Sequence, residues 1–344
     1  GEPNEKIPDF FRPTAYGDRA NRDLFIPNYP QGAFVNQNVY DFINDDPESD
    51  DLTKEQNRRD MAYACQKSTQ EQVLKVIRMA VEKTGKKQVV LSGGYGLNCV
   101  ANYYYLEQLK DEGIELFVEP VSNDAGTAIG AALMFYHGIE DDMTIRPLTD
   151  LYHGIKYNYS LSDIEAVVEK YDVEISDGDN ETVVNLMRDK NIVSVFQGGS
   201  EAGPRALGNR SILFDPTFED GKDYVNMIKR REYFRPFAGS ILAEHVHEWF
   251  DLRGMEDSPY MMYAVKCQDG VAEKIPSIIH VDGTCRIQTV TPEQNEHYHS
   301  LISEFYKQTG VPIVFNTSFN LGGEPLVETI DDAVRTLVNS DIEY

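Results

Sequence analysis

The pattern of apolar and polar positions divides the chain into a polar beginning and two stretches in which strands and helices alternate. Residues 1–57 are polar, contain six prolines and show no regular hydrophobic period, which predicts an extended segment. Apolar residues then recur at helical spacing over Arg58–Thr84, and Gly85 marks the end of this predicted helix. The fold class that follows from the rest of the pattern is α/β.

Residues 88–136 follow an order of strand, polar loop, helix, strand, polar loop and helix. The predicted strands are Gln88–Leu91 and Ile114–Val118, and the predicted helices are Val100–Glu112 and Thr127–Tyr136. In such a unit the loops at the carboxyl ends of the strands are the usual ligand-binding positions. Asp124 lies in the second loop, where it suits a helix N-cap or a ligand for metal or phosphate, and the residues alone favour the cap.

A glycine-rich loop within Val195–Pro216 is the strongest candidate for chemistry. The predicted strand Ile192–Phe196 leads into this loop, which contains Arg205 and Arg210. Glycines allow backbone N–H groups to approach a ligand, and a guanidinium binds phosphate or carboxylate through paired hydrogen bonds. The loop matches neither a Walker motif nor G-x-G-x-x-G. It predicts an oxyanion-binding site, and the alternative is an ordinary turn with two surface arginines.

A second group of cations follows the predicted helix Gly221–Ile228. Lys229, Arg230, Arg231 and Arg235 lie within seven residues of a chain that has 57 acidic residues. This suggests a site for a polyanion such as a triphosphate, and the alternative is a helix end whose cations complement the helix dipole. Arg286 lies between Cys285 and Ile287 on a predicted strand, so its side chain points to the opposite face from both and is placed to line a cleft.

The remaining pattern predicts a linker and further elements around these loops. The linker is Asp141–Pro147. The predicted helices are Leu161–Tyr171, Glu181–Asp189, Glu244–Phe250, Pro292–Thr309 and Thr329–Ser340, and the predicted strands are Tyr260–Val265, a strand–turn–strand over His280–Val290, and Val311–Phe315. The pair His245 and His247 is interpreted as structural, because no third metal ligand lies within sequence reach.

Composition narrows the range of functions. The net charge of −25 argues against nonspecific binding to nucleic acid or to an anionic membrane. No stretch approaches the roughly 18 uninterrupted apolar residues of a transmembrane helix. The four cysteines are far apart and form no C-x-x-C pair, which favours free thiols and a cytoplasmic location. A chain that starts at Gly1 and stops in an apolar stretch suggests a piece of a longer polypeptide.

Six motifs in order carry a resemblance to a known family. They are L-S-G-G-Y-G-L-N98, V-S-N-D-A-G126, E-A-G-P-R-A-L-G-N-R-S-I212, K-R-R-E-Y-F-R-P-F237, H-V-D-G-T-C-R-I-Q288, and V-F-N-T-S-F-N320 with G-E-P325. From about residue 58 onward the chain resembles the NodU/CmcH-type O-carbamoyltransferases. After the extended segment predicted over 1–57, the resemblance implies the second half of a Kae1-like domain (actin/Hsp70-type ATPase fold) over 58–146 and a YrdC-like α/β domain with a twisted mixed sheet over 151–344.

The resemblance also implies a two-step reaction and its residues. The YrdC-like module would convert carbamoyl phosphate and ATP, with Mg²⁺, to carbamoyl adenylate, and the Kae1-like module would pass the carbamoyl group to a small hydroxyl-bearing acceptor. Arg205, Arg210, Lys229, Arg235 and Arg286 would grip the phosphates, with Gly203, Ser211, Ser318 and Asn320 binding ATP or carbamoyl phosphate. Ser92, Gly93, Gly94, Asn98 and Asn123 would line the acceptor or adenylate pocket, and Asp124 would bind Fe²⁺ or another divalent metal.

One feature of the family is missing from this chain. The family's first Kae1-like half carries histidine metal ligands as H-x-x-x-H, and no histidine precedes His137 here. We therefore expect the N-terminal half to come from the same gene; the alternatives are that another chain supplies it or that transfer activity has been lost. A homodimer is compatible with the resemblance. Two alternatives stay open: an enzyme that makes threonylcarbamoyl adenylate for tRNA modification, and a non-catalytic nucleotide-binding or structural module.

Overall fold

The computed structural model describes residues 1–14, 17–28, 32–44, 51–144 and 148–344. These residues form two compact units, one comprising Gly1–Val89 with Asp111–Glu115 and the other comprising Val90–Lys110 with Leu116–Tyr344. The last three residues of the predicted linker Asp141–Pro147 lie outside the described residues. In the described part of the chain, none of the helices combines the length and the apolar character needed to cross a membrane.

The first unit contains short strands followed by helices. Strand β1 (Phe11–Arg12) pairs antiparallel with β2 (Arg19–Ala20), and β3 (Phe25–Asn28) pairs antiparallel with β4 (Gly32–Val35). Helices α1 (Gln37–Asn44) and α2 (Asp51–Thr84) follow. The prediction of an extended segment over 1–57 is therefore wrong. Its widely spaced apolar residues form a core of their own, in which Phe10, Leu24, Val39 and Met61 are buried together.

Helix α2 begins seven residues before its predicted start, because its first turns are polar and carry no hydrophobic period. The alternating pattern of residues 88–136 is confirmed, with small shifts at the ends. The elements are β5 (Gln88–Leu91), α3 (Cys99–Leu109), β6 (Glu115–Val118) and α4 (Gly126–Ile139), and a 3-10 turn, Gly94–Leu97, lies between β5 and α3.

The helices of the second unit that flank its main sheet follow their hydrophobic period closely. Helices α5 (Leu161–Tyr171), α7 (Gly221–Ile228) and α9 (Pro292–Thr309) have the predicted bounds. Helices α6 (Asn180–Arg188) and α10 (Ile330–Val338) differ from prediction by one or two residues at each end. Ser160 and Asp163 cap α5 reciprocally. The predicted helix Glu244–Phe250 is instead a 3-10 turn followed by α8 (Val246–Trp249).

Within the described residues of the second unit, seven strands form one mixed sheet. In chain order they are β7 (Val193–Phe196), β8 (Arg210–Phe214), β9 (Ala238–Leu242), β10 (Phe250–Asp251), β11 (Ala264–Cys267), β12 (Thr284–Val290) and β13 (Ile313–Ser318). Their spatial order is β10-β11-β12-β9-β13-β8-β7, and β12 with β9 is parallel while the other neighbours are antiparallel. This confirms an α/β fold with a mixed sheet.

Strands β8 and β9, which the sequence pattern missed, are deeply buried. Every residue of β8 and of β9 is buried. A strand covered on both faces lacks the alternation of apolar and polar residues by which a half-buried strand is recognised. Arg210 opens β8, so it does not lie in the loop with Arg205 as predicted. The predicted strand–turn–strand over His280–Val290 is also wrong, because only Thr284–Val290 is a strand.

Candidate functional site

A cleft of about 370 Å³ brings together five separate segments of the second unit. We call it the arginine cleft. It is lined by Pro204, Arg205, Ala206, Arg231, Phe234, Arg235, Pro236, Met261, Arg286, Asn316, Thr317 and Ser318. Within the part of the chain that the structure describes, this lining holds four arginines and no acidic side chain. In a protein with a net charge of −25, such a concentration of cations suits an anionic ligand.

Arg205 and Arg286 both line this cleft and are close enough to interact electrostatically. The guanidinium of Arg205 donates from Nη2 to the carbonyl of Leu97 at 2.9 Å, and its Nε has no hydrogen-bond partner. The Nε of Arg286 is also buried without a partner. Burial, together with the nearby charge of Arg286, lowers the pKa of Arg205 to about 10. Two like charges with unused donors are costly to bury, so they favour an anion placed between them.

Arg231 and Arg235 form the other side of the arginine cleft. Burial and the neighbouring arginines Arg235 and Arg286 lower the pKa of Arg231. Arg235 is exposed and pairs with Glu232, whose carboxylate lies 2.6 Å from its Nε and raises the pKa of Arg235. The sequence placed Arg231 in the cationic run that suggests a polyanion site, although the family resemblance did not assign it to the phosphates.

Lys229 lies behind the cleft wall and not in its lining. Its side chain is buried, and its ammonium donates to the carbonyl and hydroxyl oxygens of Ser318 and to Oδ1 of Asn320. Burial, with a smaller effect of Arg231, lowers the pKa of Lys229 to about 7. The hydroxyl of Ser318 donates to Asn320 at 2.6 Å. Lys229 therefore supports Ser318, which does line the cleft.

Arg210 and Ser211 do not reach the arginine cleft, which corrects the sequence-based expectation. The guanidinium of Arg210 stacks on the ring of Phe196 at 3.8 Å and is completely buried. It donates to the carbonyl oxygens of Gln197, Gly198, Asn209 and Glu328. Ser211 is buried in β8 and accepts a hydrogen bond from the amide of Gly208 at 3.0 Å. Both side chains hold the loop around them together.

Gly203 also lies outside the lining of the arginine cleft, although the next residue in the chain, Pro204, is part of that lining. Its φ of +92° is in the region that favours glycine, and a Cβ there would meet the carbonyl of Pro120 at 3.4 Å. The loop that carries Arg205 therefore approaches the loop after β6 closely.

A second cleft, of about 450 Å³, lies at the loops that follow β5 and β6. We call it the glycine-loop cleft. It is lined by Ser92, Gly93, Gly94, Glu119, Val121, Ser122, Asn123, Asp124, Gly126, Thr127, Ile129, Gly130 and Leu133. Of the residues predicted for an acceptor pocket and its metal, Asn98 alone is not in this lining. Its side chain instead accepts from the amide of Ala101 at 3.1 Å and caps α3.

Asp124 is exposed in the glycine-loop cleft. It does not cap α4, because the N-cap position is Ala125 and no side chain bonds to the amides there. Among the described residues, no group of three His, Cys, Asp or Glu side chains could hold a metal ion. The residues of this chain that the structure describes therefore do not by themselves fit the iron site implied by the resemblance.

The two clefts are neighbours within the second unit. Arg205, in one lining, bonds to Leu97 at the end of the glycine-rich loop that borders the other. Val121 lines the glycine-loop cleft and Met261 lines the arginine cleft, and both belong to one buried apolar cluster. The fold and site thus define an α/β protein with a cationic cleft that suits an anionic ligand, beside a second, glycine-lined cleft.

Comparison with known proteins agrees with this class. A family model for the carbamoyltransferase C-terminus matches residues 184–344, and one for the carbamoyltransferase N-terminus matches residues 1–133. The chain therefore belongs to the carbamoyltransferase family.

Two relatives illustrate the similarity. The nodulation protein NolO of Bradyrhizobium diazoefficiens is 36% identical over 295 residues, which are 84% of this chain and 53% of that protein. The 3'-hydroxymethylcephem-O-carbamoyltransferase of Streptomyces clavuligerus is 32% identical over 247 residues, which are 71% of this chain and 44% of that protein. The chain spans about half the length of the curated relatives it matches.

Among solved structures, full-length HypF in its phosphate- and nucleotide-bound form matches 48% of this chain and 20% of that chain, with 20% identity and a TM-score of 0.33. A likeness of this size supports no inference about ligands.

Proposed function

We propose that this chain carries the activation half of an O-carbamoyltransferase, in which carbamoyl phosphate, ATP and one water molecule are converted to carbamoyl adenylate, pyrophosphate and phosphate. The observation that carries the proposal is the arginine cleft, with four guanidinium groups and no carboxylate in its described lining. Membership of the carbamoyltransferase family supplies the reaction class. The relative named as a cephem O-carbamoyltransferase supports a hydroxyl group as the final acceptor.

The residues suit a reaction in which negative charge accumulates on phosphates. Such a reaction is accelerated mainly by positioning and by cations, and it needs no covalent nucleophile. Arg205 and Arg286 would hold one anionic group between their unpaired Nε atoms. Arg231 and Arg235 would neutralise a second group on the opposite side. Ser318, held by Lys229, would orient the nucleotide between them, with Mg²⁺ entering as part of the ATP complex.

Within this proposal, residues 151–344 form a YrdC-like activation domain and residues 58–146 form the second half of a Kae1-like domain. All residues that line the arginine cleft fall in the first of these ranges. The glycine-loop cleft falls in the second and would bind the acceptor or the adenylate.

The transfer step needs metal ligands beyond Asp124, so we assign them to a further part of the polypeptide or to another chain. The exposed apolar side chains of helix α4 support the assignment, because they suit contact with a further protein surface. They are Ile129, Leu133, Met134 and Phe135. A helix that is apolar on all sides is normally buried. Co-expression with the candidate N-terminal half should restore carbamoyl transfer and protect α4 from proteolysis.

ATP–pyrophosphate exchange tests the activation step. We expect exchange that depends on carbamoyl phosphate and that falls strongly in Arg205→Met. Arg188→Met is the matched control, because Arg188 is an exposed arginine on α6 outside both clefts. Folded protein without carbamoyl phosphate-dependent exchange would sink the proposal. Exchange supported by threonine and bicarbonate in place of carbamoyl phosphate would favour the threonylcarbamoyl-adenylate alternative instead.

A further inference from the structure

The loop that presents Arg205 to the arginine cleft is built around a buried carboxylate that lies outside the cleft. Glu201 is 6% exposed. Its Oε1 accepts hydrogen bonds from the backbone amides of Leu207 at 2.7 Å, Asn209 at 2.8 Å and Arg210 at 3.2 Å. A single oxygen thus gathers three amides from the segment that directly follows Arg205. Hydrogen bonds to an ionised acceptor are about twice as strong as neutral ones, so this contact holds the loop firmly.

Other side chains occupy the remaining backbone groups of the same turn. The amide of Gly208 donates to the hydroxyl of Ser211. The carbonyl oxygens of residues 206–208 accept from the side chains of Asn316, Gln288, Tyr152 and Gln197. The amides of residues 207–210 therefore all point into the protein.

This arrangement corrects one expectation from the sequence. Glycines in the loop were expected to bring backbone N–H groups to a bound anion, as in a phosphate-binding loop. In the structure, the amides of residues 207, 209 and 210 are satisfied by a carboxylate of the protein itself. Recognition of a phosphate in the arginine cleft is consequently left to side chains, and its geometry depends on how firmly Arg205 is held.

We infer that Glu201 is a positioning residue for the arginine cleft: as an internal anion in this nest of amides, it fixes the loop that aims Arg205 at a phosphate-bearing ligand. The inference rests on the proposed function for the identity of that ligand. Arg205 is anchored at its guanidinium by the carbonyl of Leu97 at 2.9 Å and along the chain by the turn that Glu201 closes. Without the second anchor, the guanidinium loses its fixed relation to Arg286.

The test is Glu201→Gln, which keeps the shape of the side chain and removes its charge. We expect the amides of residues 207–210 to exchange hydrogen for deuterium at least about tenfold faster. We expect the KM for carbamoyl phosphate in the exchange assay to rise about tenfold, equivalent to ~1.4 kcal/mol, with a smaller change in kcat. Glu328→Gln is the control, since Glu328 accepts from the hydroxyl of Ser200 at 2.7 Å and takes no amide of this turn.

Two further measurements keep the outcomes distinguishable. Calorimetric titration with inorganic pyrophosphate reports on the cleft without catalysis, and we expect weaker binding in Glu201→Gln than in Glu328→Gln. If wild-type protein shows no exchange, the proposed function fails, while amide exchange and pyrophosphate affinity still decide the role of Glu201. Unchanged amide exchange with unchanged pyrophosphate affinity would overturn the inference, as would a loss of thermal stability without any change in affinity. If Glu201→Gln does not fold, Glu201→Asp replaces it. This variant retains the charge but is one methylene shorter, and the same amide-exchange and pyrophosphate-affinity measurements apply to it.

Discussion

Arg205→Met should make the protein more stable and less active at the same time. The substitution keeps an unbranched side chain of similar length and removes the positive charge that faces Arg286. Arg205 is partly buried, and burial with the charge of Arg286 lowers its pKa from 12.5 to about 10. The folded protein therefore carries this charge at a cost, which the bound anion relieves.

The size of the effect follows from the pKa of Arg205. A decrease from 12.5 to about 10 corresponds to ~3 kcal/mol of lost stability. Because the folded pKa lies below the unfolded one, the unfolded chain binds more protons between these values, so the full cost applies below pH 10 and shrinks as the pH rises toward 12.5. The lost hydrogen bond from the charged guanidinium to the carbonyl of Leu97 takes back ~2 kcal/mol. The net gain in the free energy of unfolding is thus ~1 kcal/mol at neutral pH.

Chemical denaturation of the wild type and Arg205→Met measures this gain, and pyrophosphate is then added to both. The ligand should stabilise the wild type by ~2.7 kcal/mol at a hundred times its Kd, and it should stabilise the variant much less. In the exchange assay, kcat/KM should fall by at least about tenfold, because a charged hydrogen bond contributes ~1.5–3 kcal/mol. A less stable variant, or one that responds to pyrophosphate as the wild type does, would refute the reasoning.

Three further predictions follow from the same geometry. Because Lys229 has a pKa of about 7, kcat/KM for carbamoyl phosphate should fall as the pH rises through neutrality and Lys229 loses its charge. Lys229→Arg stays charged and should move that fall to higher pH. An identical pH profile in the wild type and in Lys229→Arg would contradict this. Arg210→Ala should lower the free energy of unfolding by ~3–5 kcal/mol in urea, since four carbonyls lose their donor and a cavity opens; a loss under ~1 kcal/mol would be inconsistent with its buried role. Gly208→Ala should unfold at a clearly lower temperature than Gly323→Ala. Both positions have positive φ, but a Cβ at residue 208 would overlap the ring of Tyr298, whereas a Cβ at residue 323 would meet no neighbouring atom. Equal melting temperatures would argue against this packing.

Hydrophobic periodicity predicted the helices well because their period is a local property of the chain. The bounds of α5, α7 and α9 follow from apolar residues at helical spacing between clear capping residues. The same method missed β8 and β9, which are paired on both sides within the sheet and whose residues are all buried. It also missed the folded structure within residues 1–57, where the strands are two to four residues long and too short to show a period.

The candidate site was predicted in part. Arg205, Arg235, Arg286 and Ser318 line one cleft, and five of the predicted pocket and metal residues line the other. Arg210 was expected in the first cleft because it lies five residues from Arg205 in a glycine-rich stretch. The structure separates the two, since Arg210 starts a buried strand and its guanidinium is used by surrounding carbonyls. Arg231, which the sequence placed in a cationic run but the family resemblance did not assign to the phosphates, lines the cleft instead.

The sequence by itself determined the α/β class, the positions of most helices, the family and the concentration of cations in an acidic chain. These depend on residue type, local spacing and the order of motifs, all of which can be read along the chain. The tertiary structure alone decided which arginines share a cleft and what holds their loop. Which arginines share the cleft depends on the order of the strands in the sheet. Strands β9 and β12 pair in parallel, which places Ala238, two residues after Pro236, opposite Arg286. The choice also depends on a buried carboxylate, Glu201, whose amide partners lie six to nine residues away and are gathered only when the loop closes.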